Sequence, residues 1–137
     1  MNTSKLIPAL HNGIALKGYW VNSIDGTIWS DKQSKNLRQI KGSIHDGYRR
    51  TNFTTSDGLT NLLLHRVVAC TLIPFTTDGI SKRDWKNTPD KIKNIILSQW
   101  CINHIDHDRS NYHPSNLEWA TFTENSRASV AHKKAMA

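Results

Sequence analysis

Short alternations of apolar and polar residues fill the first half of the chain. The run GYWVNSIDGTIWS, residues 18–30, holds two β-type segments around Asp25-Gly26. Asp-Gly between such segments is a hairpin signal, because both residues tolerate the positive φ of the tight turns that match strand twist. The theme recurs at Asp46-Gly47 and Asp57-Gly58, so residues 18–64 are predicted to form a meander of short antiparallel strands. Residues 1–17 show little periodicity and are expected to be a loosely ordered lead-in. After His65-Arg66 the chain stays apolar from Val67 to Ile73. That segment suits a short helix laid on the sheet and ending before Pro74, whose ring disfavours helical geometry in the preceding residue.

Residues 75–88 are polar and read as a loop. Thr88-Pro89-Asp90 then predicts a helix start: a capping residue, a proline in the first turn and an acid near the N-terminus. Ile92, Ile95 and Ile96, with Gln99 or Trp100, share one helical face. Trp100–Ile105 and Asn116–Ala120 are two short strands around the polar loop Asp106–Ser115, with Trp100, Leu117 and Trp119 expected in the core. Thr121-Phe122-Thr123-Glu124 is a capping box, so a helix is predicted from there through Asn125 and Arg127 to about His132.

Composition narrows the class. At 137 residues the chain is one domain's worth, and no apolar run approaches the ~20 residues a membrane-spanning helix needs, so no membrane partner is expected. The first residues lack a long apolar region, so no secretory signal is expected. Eighteen basic residues against eleven acidic ones give a net charge of +7, which points to a polyanionic partner. Lys32, Lys35, Arg38, Lys41, Arg49 and Arg50, opposed only by Asp46, put +5 of that charge between residues 32 and 50. Such charge on loops and strand edges suits phosphate contacts. Cys70 and Cys101 each sit in an apolar run and are expected to be reduced core thiols; there is no C-x-x-C pair to build a zinc knuckle.

The stretch WCINHIDHDRSNYHPSNLEWATFTENSR, residues 100–127, carries the chemistry. Asn103-His104-Ile105-Asp106, Ser115-Asn116-Leu117-Glu118-Trp119 and Glu124-Asn125-Ser126-Arg127 follow one another with Asn116 twelve residues after His104 and Asn125 nine further on. This composite resembles the HNH motif of phage and intron homing endonucleases. The upstream Leu64-His65-Arg66-Val67-Val68-Ala69 with Ile73-Pro74 resembles the lead-in of that branch, and GYWVNSIDGTIWS resembles a modular DNA-seating domain often found ahead of it.

The resemblance implies an α+β fold, with an N-terminal antiparallel β-rich module (1–74), a connecting loop and helix (75–99) and a C-terminal ββα-metal, or His-Me finger, motif (100–137). It implies a metal-dependent DNA endonuclease in the cytoplasm of a phage-infected or bacterial cell; one His104 and one metal site in a chain with no heptad or other dimer seam predict a monomer that nicks one strand of duplex DNA. His104 would be the general base, and Asn103 and Asn125 the ligands of Mg²⁺ or Mn²⁺. Asn116 belongs to the same constellation by tying the loop together. Lys32, Lys35, Arg38, Lys41, Arg49, Arg50 and Arg66 would face DNA, although His65-Arg66 reads first as structural, with a phosphate contact as the alternative. The chemistry agrees: a histidine near neutrality can accept a proton from water, and a hard divalent ion can stabilise the phosphate and the leaving oxygen. Many relatives carry Asp where this chain has Asn103, and some carry His where it has Ser129, so an HNN set with weaker metal affinity is expected. The family's added C-terminal helical module is not recognised, which suggests loose sequence specificity. Two other readings stay open: a DNA-binding protein with a decayed site, and a structure-specific or RNA-directed nuclease. His107 and His113 are expected to face solvent or DNA.

Overall fold

The computed structural model describes residues 5–32, 35–76 and 79–124. Four antiparallel strands come first: β1 (Leu6–His11), β2 (Ile14–Asn22), β3 (Ile28–Ser30) and β4 (Arg38–Ile40), hydrogen-bonded in that order. Three more, β5 (Ser43–His45), β6 (Tyr48–Thr55) and β7 (Gly58–Leu63), form a second sheet. The predicted meander is therefore divided between two sheets, and it begins earlier than expected. The lead-in is a hairpin: His11 pairs with Ile14 across Asn12-Gly13, whose φ angles are 49° and 84°. Asn-Gly is itself a strong hairpin signal, and its left-handed pair of residues decides the local path where hydrophobic period is weak.

Asp46-Gly47 forms the tight turn that was expected, with His45 paired to Tyr48 and φ values of 53° and 84°. Asp57-Gly58 lies at the β6–β7 turn, where Thr55 pairs with Gly58. Asp25-Gly26 sits in a wider connection, closed by the Asn22 side chain accepting from the Ile24 and Asp25 amides.

Helix α1 (Leu64–Leu72) starts directly from β7, three residues earlier than the pattern suggests, and ends before Pro74 as expected. Its buried face, Leu64, Val67, Val68 and Ala69, joins Ala9, Leu16, Val21 and Ile28 of the first sheet, Phe53 of the second, and Ile102 and Leu117 further on. One continuous cluster thus joins both sheets, α1 and the segments around Ile102 and Leu117. Polar staples reinforce it. Leu10 N–H, beside the register shift in β1, donates to Thr71 Oγ1 at 2.9 Å, and the Asn12 amide donates to Cys70 Sγ at 3.2 Å. Both cysteines are free thiols. Burial pushes the Cys70 thiol up to about 11, so it stays protonated and unreactive at neutral pH.

Where the polar pattern of 75–88 predicts a loop, the structure has a short helix, α2 (Lys82–Lys86), started by Ser81 accepting from the Asp84 amide. Ser followed three residues later by Asp was the signal available for it. Helix α3 (Asp90–Leu97) begins after Pro89; the Thr88 hydroxyl donates back to the Asp84 carbonyl instead of capping it. The expected apolar face is not the buried one: Ile92 and Ile95 are 46% and 57% exposed, while Leu97 is buried. The helix is anchored at its C-terminal end, where Arg66 reaches the Leu97 carbonyl.

Candidate active site

Strands β8 (Cys101–His104) and β9 (Leu117–Ala120) pair antiparallel, with Asn103 opposite Glu118 and His104 opposite Leu117. Ile102 and His104 face inward; Cys101 and Asn103 alternate to the outer side. Asn103 and His104 therefore sit on opposite faces of β8, as strand geometry requires. Leu117 is fully in the core, and Trp119 lies against it with its indole N–H donating to the Ile73 carbonyl at 3.1 Å. Trp100 meets Phe75 edge-on at 5.0 Å.

His104 is 6% exposed and lies at the junction of three elements. The His65 ring of α1 meets it edge-on at 4.5 Å, and Tyr48 of β6 lies 5.9 Å away. His104 Nε2 and His65 Nδ1 are both buried without a hydrogen-bond partner. Burial lowers the pKa of His104; Asp106 and Asp108 oppose the shift and Arg109 adds to it. His65 is held down to about 3, first by burial and then by His104, Arg66 and Arg50. Both rings are thus neutral at physiological pH, and a neutral imidazole is the form that can accept a proton.

The loop between the two strands is held by carboxylate and amide groups. Asn116, 7% exposed, accepts from the Asp106 amide at 2.9 Å and donates to Asp106 Oδ1 at 2.9 Å and to the Asn111 carbonyl at 3.0 Å. Asp106 also accepts from the Asp108 amide and from Asn111 Nδ2, each at 2.8 Å. These bonds, Asn111's first among them, hold the Asp106 carboxyl below its ordinary pKa. The density of Asp and Asn in residues 106–116 signals such local side-chain-to-backbone bonding, although the sequence reading assigned a tie only to Asn116. His107 and His113 are exposed, and His107 adopts φ 62°.

The two β-rich sheets dock onto this loop through their turns. A Cβ on Gly26 would lie 2.8 Å from the Pro114 ring and 3.1 Å from the Tyr112 carbonyl. A Cβ on Gly47 would lie 3.3 Å from Arg109 Cδ. Glycine is needed at both turns for its positive φ, and at Gly26 also because the turn touches the loop backbone.

The residues expected to face DNA divide into groups. Lys32, Lys35, Arg38 and Lys41 are exposed. Lys32 and Arg38 line a groove of about 490 Å³ between the sheets, bounded by Tyr19, Thr51 and Asn52. Arg49 is half-buried and donates to the Lys41 carbonyl at 3.3 Å, while Arg50 has its Nε buried without a partner. Arg66 points into the protein. Its guanidinium donates to Asn12 Oδ1 and the Trp100 carbonyl, each at 2.9 Å, and to the Leu97 carbonyl, and it lies 5.7 Å from the Trp119 ring centroid. Of the two readings open for His65-Arg66, this geometry suits the structural one: Arg66 ties the first hairpin and the end of α3 to the residue before β8, through donors engaged within the protein.

Asn103 Nδ2 donates to Glu118 Oε1 at 2.7 Å, which turns Oδ1 away from that bond. An amide oxygen beside a carboxylate is a hard-oxygen donor pair, and it fits Mg²⁺ or Mn²⁺, which keep several waters and need few protein ligands. Among the described residues no group of three His, Cys, Asp or Glu forms a metal cage. Asn125, the other expected ligand, lies outside the described residues, as does the remainder of the helix predicted to run to about His132. The start of that helix is seen: Thr121 Oγ1 accepts from the Glu124 amide at 3.0 Å, and Glu124 Oε1 accepts from the Thr121 amide at 3.2 Å. The predicted capping box is formed.

Residues 101–124 thus bring together two strands closed around a tied loop, an inward histidine and a capped helix start. Residues 96–127 match the family model described as HNH endonuclease. Over most of the chain the fold is similar to the HNH homing endonuclease I-HmuI, in a structure of DNA binding and cleavage, with a TM-score of 0.59 and 20% sequence identity. That match covers 85% of this chain and 54% of the other, so the chain spans about half the length of I-HmuI. No curated protein matches it. The similarity to HNH endonucleases thus lies in residues 96–127, and the likeness to I-HmuI is one of fold.

Proposed function

We propose that the protein is a metal-dependent DNA endonuclease that hydrolyses one phosphodiester at a time. The observation that carries this reading is His104 itself. It stands at the end of β8, neutral and nearly enclosed, beside a loop locked by Asn116, within the stretch that matches the HNH endonucleases. Because Nε2 is buried, Nδ1 is the nitrogen that takes the proton from the attacking water. Asn103 Oδ1, with Glu118 alongside, would hold the cation, and Asn125 is the further ligand that the resemblance implies. When bound, Mg²⁺ or Mn²⁺ supplies charge stabilisation at the phosphate and at the departing 3′ oxygen.

Lys32, Lys35, Arg38 and Lys41 supply sequence-independent attraction to duplex DNA in the cytoplasm of a phage-infected or bacterial cell. One His104 and one cation site per monomer meet one strand, so the primary product is a nick with a 5′-phosphate and a 3′-hydroxyl. The alternative of a DNA-binding protein with a decayed site draws on Asn103 standing where relatives have Asp.

Supercoiled plasmid, incubated with and without Mg²⁺ or Mn²⁺, tests the proposal. Open circles are expected first and only with metal, and His104→Ala should slow their formation by roughly 10²–10⁴-fold while DNA binding persists. Linear product without an open-circle intermediate would overturn the monomeric nickase. Binding without cleavage in either metal would favour the decayed-site reading.

A further inference from the structure

Arg109 reaches out of the β8–β9 loop toward the β5–β6 hairpin. Its guanidinium lies over the Tyr48 ring at 5.1 Å, and Nη1 makes a long bond, 3.4 Å, to the Asp46 carbonyl at the hairpin turn. Its stem runs across Gly47, where even a methyl group would press on Arg109 Cδ at 3.3 Å. Three features of the hairpin tip, the open glycine, the flat ring and the carbonyl, therefore hold one exposed arginine in place. That place is beside the general base: Tyr48, on which the guanidinium lies, is also the ring 5.9 Å from His104.

The arrangement costs the guanidinium little of its capacity. One of its five N–H donors is engaged by a side-chain hydrogen bond among the described residues, and that bond is long. A ring face leaves the donor edge of the guanidinium open, and that edge is the one that matches two phosphate oxygens. Besides Arg109, the charged groups that act on His104 are Asp106 and Asp108, and its ring neighbours are His65 and Tyr48. A phosphodiester drawn to His104 would meet repulsion from Asp106 and Asp108 unless a cation faced it.

We propose that Arg109 binds the phosphodiester undergoing cleavage, with the Tyr48 ring and the Asp46-Gly47 turn holding its guanidinium toward His104. This rests on the nuclease reading and extends it. It makes the β5–β6 hairpin part of the active site, so that the β-rich module and the nuclease motif assemble one site between them.

Two measurements test it, once the cleaved bond has been mapped with the wild-type protein. In single-turnover cleavage, Arg109→Gln should lose on the order of 10²-fold, Arg109→Lys should recover part of that loss, and both should melt like wild type. In binding without divalent metal, a duplex with one methylphosphonate at the mapped bond should bind wild type more weakly than the all-phosphate duplex, whereas Arg109→Gln should bind the two alike. Tyr48→Leu should fall between wild type and Arg109→Gln in both. Cleavage by Arg109→Gln within threefold of wild type, or an undiminished methylphosphonate penalty in that variant, would overturn the proposal and leave the nuclease reading standing. Wild-type protein that binds but never cleaves would overturn both.

Discussion

Asn103 on β8 and Glu118 on β9 face each other across the two-stranded sheet, and Asn103 Nδ2 donates to Glu118 Oε1 at 2.7 Å. The bond orients the amide so that its oxygen is the group offered outward. It also places a formal negative charge next to the position where relatives carry Asp. Glu118→Gln should therefore raise the metal concentration needed for half-maximal cleavage several-fold, and Asn103→Asp should lower it. The double variant should return near wild type. Mn²⁺ binding followed by electron paramagnetic resonance checks this apart from activity; four identical isotherms would remove both residues from the cation site.

Asn116 satisfies one backbone amide, one carbonyl and one carboxylate oxygen from a buried position. Asn116→Ala leaves those groups without that partner, at roughly 1–3 kcal/mol for a buried group left unpaired. The expected loss is about 2–3 kcal/mol of unfolding free energy, read from urea midpoints. Cleavage should fall further than binding, because the loop that carries Arg109 and follows His104 loses its tie. A variant as stable as wild type would show that Asp106 and Asn111 hold the loop unaided.

Acid should destabilise the protein well above the carboxylate range. His65 is held down to about 3, and His11 to about 4, chiefly by burial. Unfolded, both titrate near 6.5, so between about 6.5 and 3–4 the unfolded chain binds more protons and stability rises with pH. The contribution is complete above about pH 6.5 and is lost progressively as pH falls through that window. Urea midpoints at pH 7.5, 6, 5 and 4 should decline accordingly, and His65→Leu should flatten the decline. Parallel curves for the two proteins would contradict the assignment to His65.

Salt dependence distinguishes phosphate contacts from an idle basic face. Lys32 and Lys41 are both exposed. If each meets a phosphate, Lys32→Gln with Lys41→Gln should lower the slope of log K against log salt by roughly two, alike on unrelated duplexes. Arg50→Gln should act differently, since the Arg50 stem is half-buried with Nε enclosed: stability should fall along with affinity. An unchanged slope in the lysine pair would leave those charges as a solvated face.

What the sequence determined by itself is what depends on neighbours in the chain. The Thr121–Glu124 capping box and the Asp46-Gly47 turn form as read, because each needs only a few residues and their φ preferences. Alternation across β8 set His104 inward and Asn103 outward in the same local way. The Asn12-Gly13 hairpin and the Ser81 cap carried signals of this kind too, overlooked beside a weak hydrophobic period. Tertiary structure decided the rest. Arg66 became a staple because the carbonyls of Leu97 and Trp100 and the Asn12 amide oxygen converge on it from three parts of the chain. Ile92 and Ile95 remained exposed because α3 meets the Asn12-Gly13 turn at Lys93 and Arg66 at the Leu97 carbonyl, whatever its helical period. Glu118 reached Asn103 through strand register, and Arg109 reached Tyr48 only because a glycine turn from another sheet docks on its loop. Such meetings are set by how separate elements come together, and pattern along one strand or helix carries no record of the partner.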